Sequence, residues 1–196
     1  MKKVLYGMVI AGLISGTALA GGPDMMMPTT EFKPFLGVNY SYLSLDNSTG
    51  GALTGNADSY NGMGFEAGMK YGHYLGYVLG WNHYFTETNN DTPATSISAE
   101  SYYFDVRGYY PVMSQFDLIG SVGAGLLDIA ANAQNLGNAE FSADQINLRL
   151  GVGADYYFTP NWGIQGMFNW SPSHCPVAAD YNSWWTITAG IYYMFS

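Results

Sequence analysis

The sequence predicts an all-β protein, an eight-stranded antiparallel up-and-down barrel whose strands cross a membrane. Three observations favour this fold class. Apolar residues alternate with small or polar residues in eight segments, which is the side-chain period of β-strands. Only 11% of the residues are charged, while 48% are hydrophobic, so the charged fraction is less than half that of a typical soluble domain. Short and long connecting segments also alternate along the chain, as they do in transmembrane barrels.

Each predicted strand carries one apolar face. The sixth strand is the most regular, because every second residue from Ile146 to Phe158 is apolar or aromatic. The fifth is the least regular, since Ile119 and Leu127 lie on its polar face. The apolar faces contain no Asp, Glu, Lys or Arg, and in the third strand His83 is the one polar exception. In chain order the eight apolar faces fall within residues 36–42, 63–71, 75–85, 102–110, 116–126, 146–158, 162–170 and 185–195.

The connections predict how the barrel sits in its membrane. Three are short, at residues 72–74, 111–115 and 159–161, and four are long, at residues 46–59, 87–98, 129–140 and 171–182. Bacterial barrels have short periplasmic turns and longer extracellular loops. Eight strands therefore place both termini on the periplasmic side and four long loops on the outside.

The opposite strand faces predict a narrow, polar interior. A soluble barrel with an aromatic-rich core is the alternative, but a water-facing surface with so few charges would promote aggregation. A barrel of eight strands has an interior about wide enough for its own side chains. We expect an ionic network there, which either packs the lumen or forms a narrow, switchable conduction path; its candidate members are Glu66, Lys70, Asp105, Arg107, Asp117, Arg149 and Asp155.

The N-terminal region predicts export. Residues 1–20 begin with two lysines, continue as an apolar run and end in Ala18-Leu19-Ala20, which together indicate a cleaved signal peptide. A retained membrane anchor is the alternative interpretation. Residues 21–30 are predicted to be an extended lead-in, and residues 31–196 the barrel domain. The lead-in contains Met25-Met26-Met27, for which copper binding is a minor alternative.

Two local motifs resemble those of the small outer-membrane β-barrel family, which includes the OmpA transmembrane domain, OmpX, OmpW and opacity-type surface antigens. Residues 155–163, DYYFTPNWG, are similar to the strand–turn–strand before the last hairpin of that family. Residues 190–195, GIYYMF, are similar to its C-terminal signal for the barrel assembly machinery, which the resemblance assigns to Gly190, Tyr193 and Phe195. Family members usually end on the aromatic residue, whereas Ser196 follows it here.

Enzymatic and metal chemistry are not predicted. Ser173 and His174 are neighbours in a proline-flanked loop, and they lack the oriented third group that a catalytic triad requires. Cys175 is the single cysteine, so it is either a free loop thiol or an intermolecular one. We expect no catalytic residues, no cofactor and no metal site. The formal net charge of −9 argues against nucleic-acid binding.

The resemblance implies an integral outer-membrane protein of a Gram-negative bacterium that functions as a monomer. Its implied role is structural or surface-interacting, like that of an adhesin or surface antigen, through the four extracellular loops. The implied partners are outer-membrane lipid and lipopolysaccharide, the assembly machinery and a host or cell-surface ligand. The alternatives are a narrow channel or transporter for small or hydrophobic solutes and, third, a lipid A-modifying enzyme.

Overall fold

The computed structural model describes residues 32–47, 59–89, 95–133, 139–172 and 181–195. Several sequence-based expectations lie outside these residues. They are the signal peptide at 1–20, the lead-in at 21–30 with its three methionines, and the loop segment Ser173-His174-Cys175. None of the described residues belongs to a helix that is long and apolar enough to cross a membrane.

Eight antiparallel strands form one closed barrel, which confirms the predicted fold class. Each strand pairs with its neighbours in sequence, and β1 also pairs with β8 to close the sheet. The alternation that predicted the strands also fixes this arrangement, because shifting a strand by one residue would turn every side chain to the other face. The strands are β1 (Phe32–Asn47), β2 (Ser59–Tyr71), β3 (Leu75–Asn89), β4 (Thr95–Met113), β5 (Phe116–Ala133), β6 (Ala139–Tyr157), β7 (Trp162–Pro172) and β8 (Tyr181–Met194).

The apolar strand faces point out of the barrel, as predicted. Val38, Val152 and Ile187 are all exposed on the outer wall, and Val152 is 62% exposed. A soluble protein would place such side chains in its core. Here they form a continuous outer band, which is the surface that a lipid-facing barrel presents.

The strands extend beyond the outer ends of their apolar faces. β3 continues to Asn89 and β4 begins at Thr95, although residues 87–98 were predicted to form a loop. β5 and β6 likewise pair from Ala133 and Ala139 onward inside the predicted loop 129–140. Backbone pairing does not require apolar side chains, so the sheet continues where the period-two signal has ended. The longer connections are therefore shorter than the sequence predicted.

The short turns lie within the predicted segments or next to them, although β4 continues to Met113 inside the predicted turn at 111–115. In the first, Gly72 has φ of 59°, a left-handed conformation that residues with a Cβ rarely adopt. In the third, the Thr159 hydroxyl oxygen accepts hydrogen bonds from the backbone N–H groups of Asn161 at 3.3 Å and Trp162 at 2.9 Å. These bonds fix the tight connection between β6 and β7.

The lumen is not uniformly polar, which corrects the simple expectation of an apolar outside and a polar inside. Inward-facing apolar residues gather at both ends. We call the group at the loop end the aromatic plug; it consists of Leu43, Leu45, Tyr60, Tyr84, Ala99, Leu127 and Trp184. Two smaller clusters lie nearer the short turns, one of Phe35, Val78, Tyr192 and Met194 and one of Tyr109, Ile119 and Met167. Ile119 and Leu127, which made the fifth strand irregular, belong to these clusters.

Candidate functional site in the barrel lumen

The structure brings the seven ionisable residues named from the sequence into the lumen. Their side chains come from β2, β4, β5 and β6. They converge because each residue lies at a strand position whose side chain points into the barrel. The Asp117 side chain retains 13% exposure, and the other six residues are buried. They do not form one undivided cluster. They form three successive layers, which we number from the short-turn end.

The first layer is built on Lys70. Its Nζ lies 3.3 Å from Asp117 Oδ2 and 3.5 Å from Asp155 Oδ2, and it also donates to the Tyr157 hydroxyl. Tyr157 in turn donates to Asp117 Oδ2 at 2.8 Å. The Lys70 ammonium lies 3.7 Å from the centroid of the Tyr109 ring, an arrangement that stabilises a desolvated cation. One lysine is thus held by two carboxylates and two aromatic rings.

The second layer joins Arg107 to Glu66. Arg107 Nη2 lies 2.9 Å from Glu66 Oε1, and Nη1 lies 3.2 Å from Oε2, so the guanidinium binds both carboxylate oxygens. Arg107 also donates to the side-chain oxygen of Gln165 at 2.7 Å, and the Tyr103 hydroxyl donates to Glu66 at 2.6 Å. Paired hydrogen bonds of this type are the strong and geometrically specific form of the ion pair.

The third layer joins Arg149 to Asp105. Arg149 Nε donates to Asp105 Oδ2 at 3.2 Å. The Arg149 guanidinium carbon lies 4.1 Å from the centroid of the Tyr103 ring. The same Asp105 oxygen lies 3.9 Å from Arg107 Nη2. Asp105 and Tyr103 therefore connect the second layer to the third.

Glycines opposite the large side chains make room for these layers. Gly80 lies beside Tyr103 in the β3–β4 register, and the Tyr103 ring occupies the space of the missing Cβ. Gly123 faces Asp105 in the same way, where a Cβ would lie only 2.8 Å from the Asp105 Cα atom. The glycines on the polar faces thus determine which side chains can cross the lumen.

The sequence analysis missed four uncharged participants, Tyr103, Tyr109, Tyr157 and Gln165. Each lies at a strand position whose side chain points inward, as the charged residues do, and that was the available signal. Their roles depend on which residues meet across the barrel, and alternation within one strand does not contain that information.

A small free space lies beside the second layer. A lumen cavity lined by Glu66, Gln165, Asn39, Thr188 and Tyr192 has a volume of about 10 Å³, which is about the space of one water molecule. Burying an unpaired charge is very costly, whereas a paired and hydrogen-bonded charge is tolerated. The pairing of each cation with a carboxylate is therefore what allows three cations to lie inside this barrel.

A smaller polar group lies on the outer wall near the loop end. His83 Nδ1 is 3.3 Å from Glu100 Oε1, and the Tyr102 hydroxyl donates to Glu100 Oε2 at 2.7 Å. His83 was the exception on its apolar face, and this pairing accounts for it. In the described parts of the chain, no group of three or more His, Cys, Asp and Glu residues is arranged to hold a metal ion.

The C-terminal residues close the sheet. Phe195 is exposed on the outer wall, and its ring lies 5.0 Å from that of Tyr193. The backbone N–H of Phe195 donates to the carbonyl of Pro34 at 2.8 Å. Gly190 lies against Asn39, where a Cβ would be 2.8 Å from the Asn39 Cβ. The motif GIYYMF thus forms much of the β8 edge that joins β1.

Comparison with known proteins identifies one matching family model. Residues 9–195 match the outer membrane protein beta-barrel domain. No curated protein sequence matches the chain.

Three solved structures share the fold at low sequence identity. The attachment invasion locus protein Ail of Yersinia pestis, solved with the heparin analogue sucrose octasulfate, is 14% identical with a TM-score of 0.62, over 84% of this chain and 99% of that one. Neisserial surface protein A is 15% identical with a TM-score of 0.56, over 84% and 97%. The outer membrane protein OprG of Pseudomonas aeruginosa is 12% identical with a TM-score of 0.58, over 83% and 95%.

Proposed function

The chain belongs to the outer-membrane protein beta-barrel domain family, and we propose that within it this protein acts as a structural and surface-interacting barrel. The observation that carries the proposal is the packed lumen. Three ionic layers and apolar clusters at both ends fill the interior. Because side chains occupy the interior in this way, the surfaces available to a partner are the lipid-facing wall and the loops.

The distribution of charge favours a particular class of surface partner. The chain has six basic residues. Lys2 and Lys3 lie in the proposed signal peptide, three lie in the lumen, and Lys33 pairs with Lys70 in the register near the short-turn end. The long loops at 48–58, 90–94, 134–138 and 173–180 contain no Lys or Arg. A polyanion binds through Lys and Arg, so we expect neutral or cationic partners rather than sulfated ones such as the ligand crystallised with Ail.

The narrow channel remains the second candidate, and the fold alone is compatible with it. The small lumen cavity favours the surface role over the channel. Lipid A modification is the third candidate. Lipid A mass analysis of cells with and without the protein tests that candidate directly.

The surface role is tested by removing the loops and keeping the barrel. Cells displaying the full chain are compared with cells in which residues 48–58 and 173–180 are replaced by Gly-Ser segments of equal length. Each protein is checked for faster gel mobility before boiling, which reports a folded barrel. We expect adhesion to host-cell layers to fall with the loops while the mobility shift persists. Equal adhesion by the two strains would contradict the surface role.

Export and assembly follow from the same proposal. We expect cleavage after Ala20, so the mature protein recovered from outer membranes should begin at Gly21; a chain that still begins at Met1 would contradict this. We assign the assembly signal to Gly190, Tyr193 and Phe195. The adjacent rings of Tyr193 and Phe195 on the outer wall support this assignment.

A further inference from the structure

One edge of β6 is left without a neighbouring strand at the loop end of the barrel. β6 begins at Ala139 and pairs with β5 from that residue onward. Its pairing with β7 begins only at Leu150, which lies opposite Trp170. Residues 139–149 of β6 therefore form a sheet edge that no strand among the described residues covers on the β7 side.

The hydrogen bonds at the other end of β6 show which backbone groups face this edge. The N–H of Tyr157 donates toward β5, to the Gln115 carbonyl at 2.9 Å. The N–H of Phe158 donates toward β7, to the Trp162 carbonyl at 3.2 Å. Backbone groups alternate between the two neighbours along a strand, and the β5–β6 register contains no shift. The even-numbered residues from 140 to 148 therefore direct their N–H and C=O groups to the free edge.

A proline ends the ladder between β6 and β7. The register that places Leu150 opposite Trp170 would place Leu148 opposite Pro172, at the next position where β7 directs its backbone toward β6. Proline has no N–H and cannot donate that hydrogen bond. Pro172 instead lies opposite Ser183 on β8. β7 thus stays in the sheet while it leaves the outer part of β6 uncovered.

The β6 edge lacks the features that usually protect a free strand. Proteins guard exposed edges with short strands, bulges, lysine or proline. The corresponding edge of β3, beyond Tyr84, is short and bulged, because the β3–β4 register shifts between Tyr84 and Glu87. Residues 139–149, by contrast, are regular along their whole length and contain no Lys and no Pro. A long, regular edge of this kind is a template for another strand.

Charge indicates which strand this edge accepts. Asp144 lies opposite Asp128 in the β5–β6 register, and Glu100 on β4 lies opposite Asp128. Glu140 is also on β6, and residues 127–148 contain no Lys or Arg. Like charges on neighbouring strands are destabilising, and opposite charges attract. A second copy of this chain would bring the same acidic residues to the edge, whereas a basic segment would complement them.

We propose that the 139–149 edge of β6 binds an extended segment of a partner protein, which adds to the barrel sheet as a strand and carries alternating basic side chains. In strand addition the backbone hydrogen bonds provide affinity and alternate side chains provide specificity. The inference rests on the surface role proposed above and deepens it, because it names the class of segment that is bound.

Peptide binding to the purified chain in phosphatidylcholine nanodiscs tests the edge. The probe is a labelled peptide of alternating Lys and Thr, and fluorescence anisotropy measures its affinity. Ser142→Pro removes one N–H from the free edge and keeps the ladder with β5, because proline is tolerated on strand edges. Ser142→Ala retains that N–H and is the matched control. We expect Ser142→Pro to weaken binding at least about tenfold and Ser142→Ala to stay within about twofold.

Two further peptides separate the backbone contribution from simple charge attraction. One alternates Glu and Thr, and the other is the Lys–Thr peptide with N-methylated backbone amides. We expect neither to bind, because the first has the wrong charge and the second cannot donate backbone hydrogen bonds. Equal binding of the N-methylated peptide would overturn the proposal.

Amide hydrogen exchange of the native protein gives a readout that needs no variant. The Lys–Thr peptide should slow exchange at Ser142 and Ile146, whose N–H groups face the edge, and leave Ala143, which faces β5, unchanged. Gel mobility before boiling checks that each variant folds. Unchanged exchange at Ser142 and Ile146, or equal binding by native protein and Ser142→Pro, would overturn the proposal. A native dimer that Ser142→Pro dissociates would also overturn it, by placing a second copy at the edge. Because no cells are used, failure here is distinct from a loss of loop-dependent adhesion.

Discussion

Replacing Arg107 tests whether the second ionic layer is as dry and tightly paired as its geometry indicates. Arg107 is fully buried and donates two hydrogen bonds to Glu66 and one to Gln165. Arg107→Met removes all three and leaves the Glu66 carboxylate with the Tyr103 hydroxyl. Removing one partner of a buried ion pair typically costs about 3–5 kcal/mol, because the other charge stays buried. We expect a loss of that size in the free energy of unfolding.

A second substitution separates the stranded charge from the lost contacts. Glu66→Gln in the Arg107→Met background removes the negative charge and keeps an oxygen for Tyr103. We expect the double variant to be more stable than Arg107→Met by about 0.5–3 kcal/mol, the usual range for coupled neighbours. Urea titration in lipid vesicles, followed by tryptophan fluorescence, gives both values. A loss below about 1 kcal/mol for Arg107→Met, with no recovery in the double variant, would refute the reasoning, since Glu66 would then be solvated.

Three further substitutions test the wall, the lumen packing and the assembly signal. Val122 lies near the middle of the outer face of β5, and Val122→Lys should cost about 2–4 kcal/mol of unfolding free energy, against about 0–1 kcal/mol for Tyr110→Lys near the short-turn end. Equal losses in vesicle titrations would contradict the placement of Val122 in the middle of the lipid-facing band. Gly80→Ala should cost about 1–3 kcal/mol, because its methyl group displaces the Tyr103 ring, and an unchanged midpoint would argue against that contact. Phe195→Ala should lower the heat-modifiable fraction in outer membranes, whereas an unchanged fraction would remove Phe195 from the assembly signal.

The fold was predictable because the bilayer imposes a simple rule on the strands. Lipid on one side and a narrow interior on the other force alternation along every strand, so Ile146 to Phe158 could be assigned from the sequence alone. This alternation is required only within the thickness of the bilayer. Thr95 and Ala133 continue the sheet as paired backbone beyond the lipid band, and the sequence contains no periodic signal there.

The sequence allowed the charged residues of the lumen to be predicted, but not how they are grouped. The alternating pattern of each strand identified the charged residues that point inward. Their division into three layers depends on which residues meet across the barrel. Lys70 meets Asp155, which is 85 positions away in the sequence, because both side chains extend into the lumen from strands of the closed sheet that do not pair with each other. The aromatic plug was missed for a related reason. Leu43 and Trp184 sit on the polar faces of their strands, and only closure of the barrel brings them together.

Single-channel recording in planar bilayers tests most directly the claim that the lumen is closed by packed ionic and aromatic layers. The purified full chain is reconstituted and recorded at both polarities, with Arg149→Ala as the comparison because it breaks the third layer. We predict no sustained unit conductance from the native protein. Stable conductance steps in the native protein that Arg149→Ala abolishes would contradict the account, because the ionic layers would then be part of a conducting path.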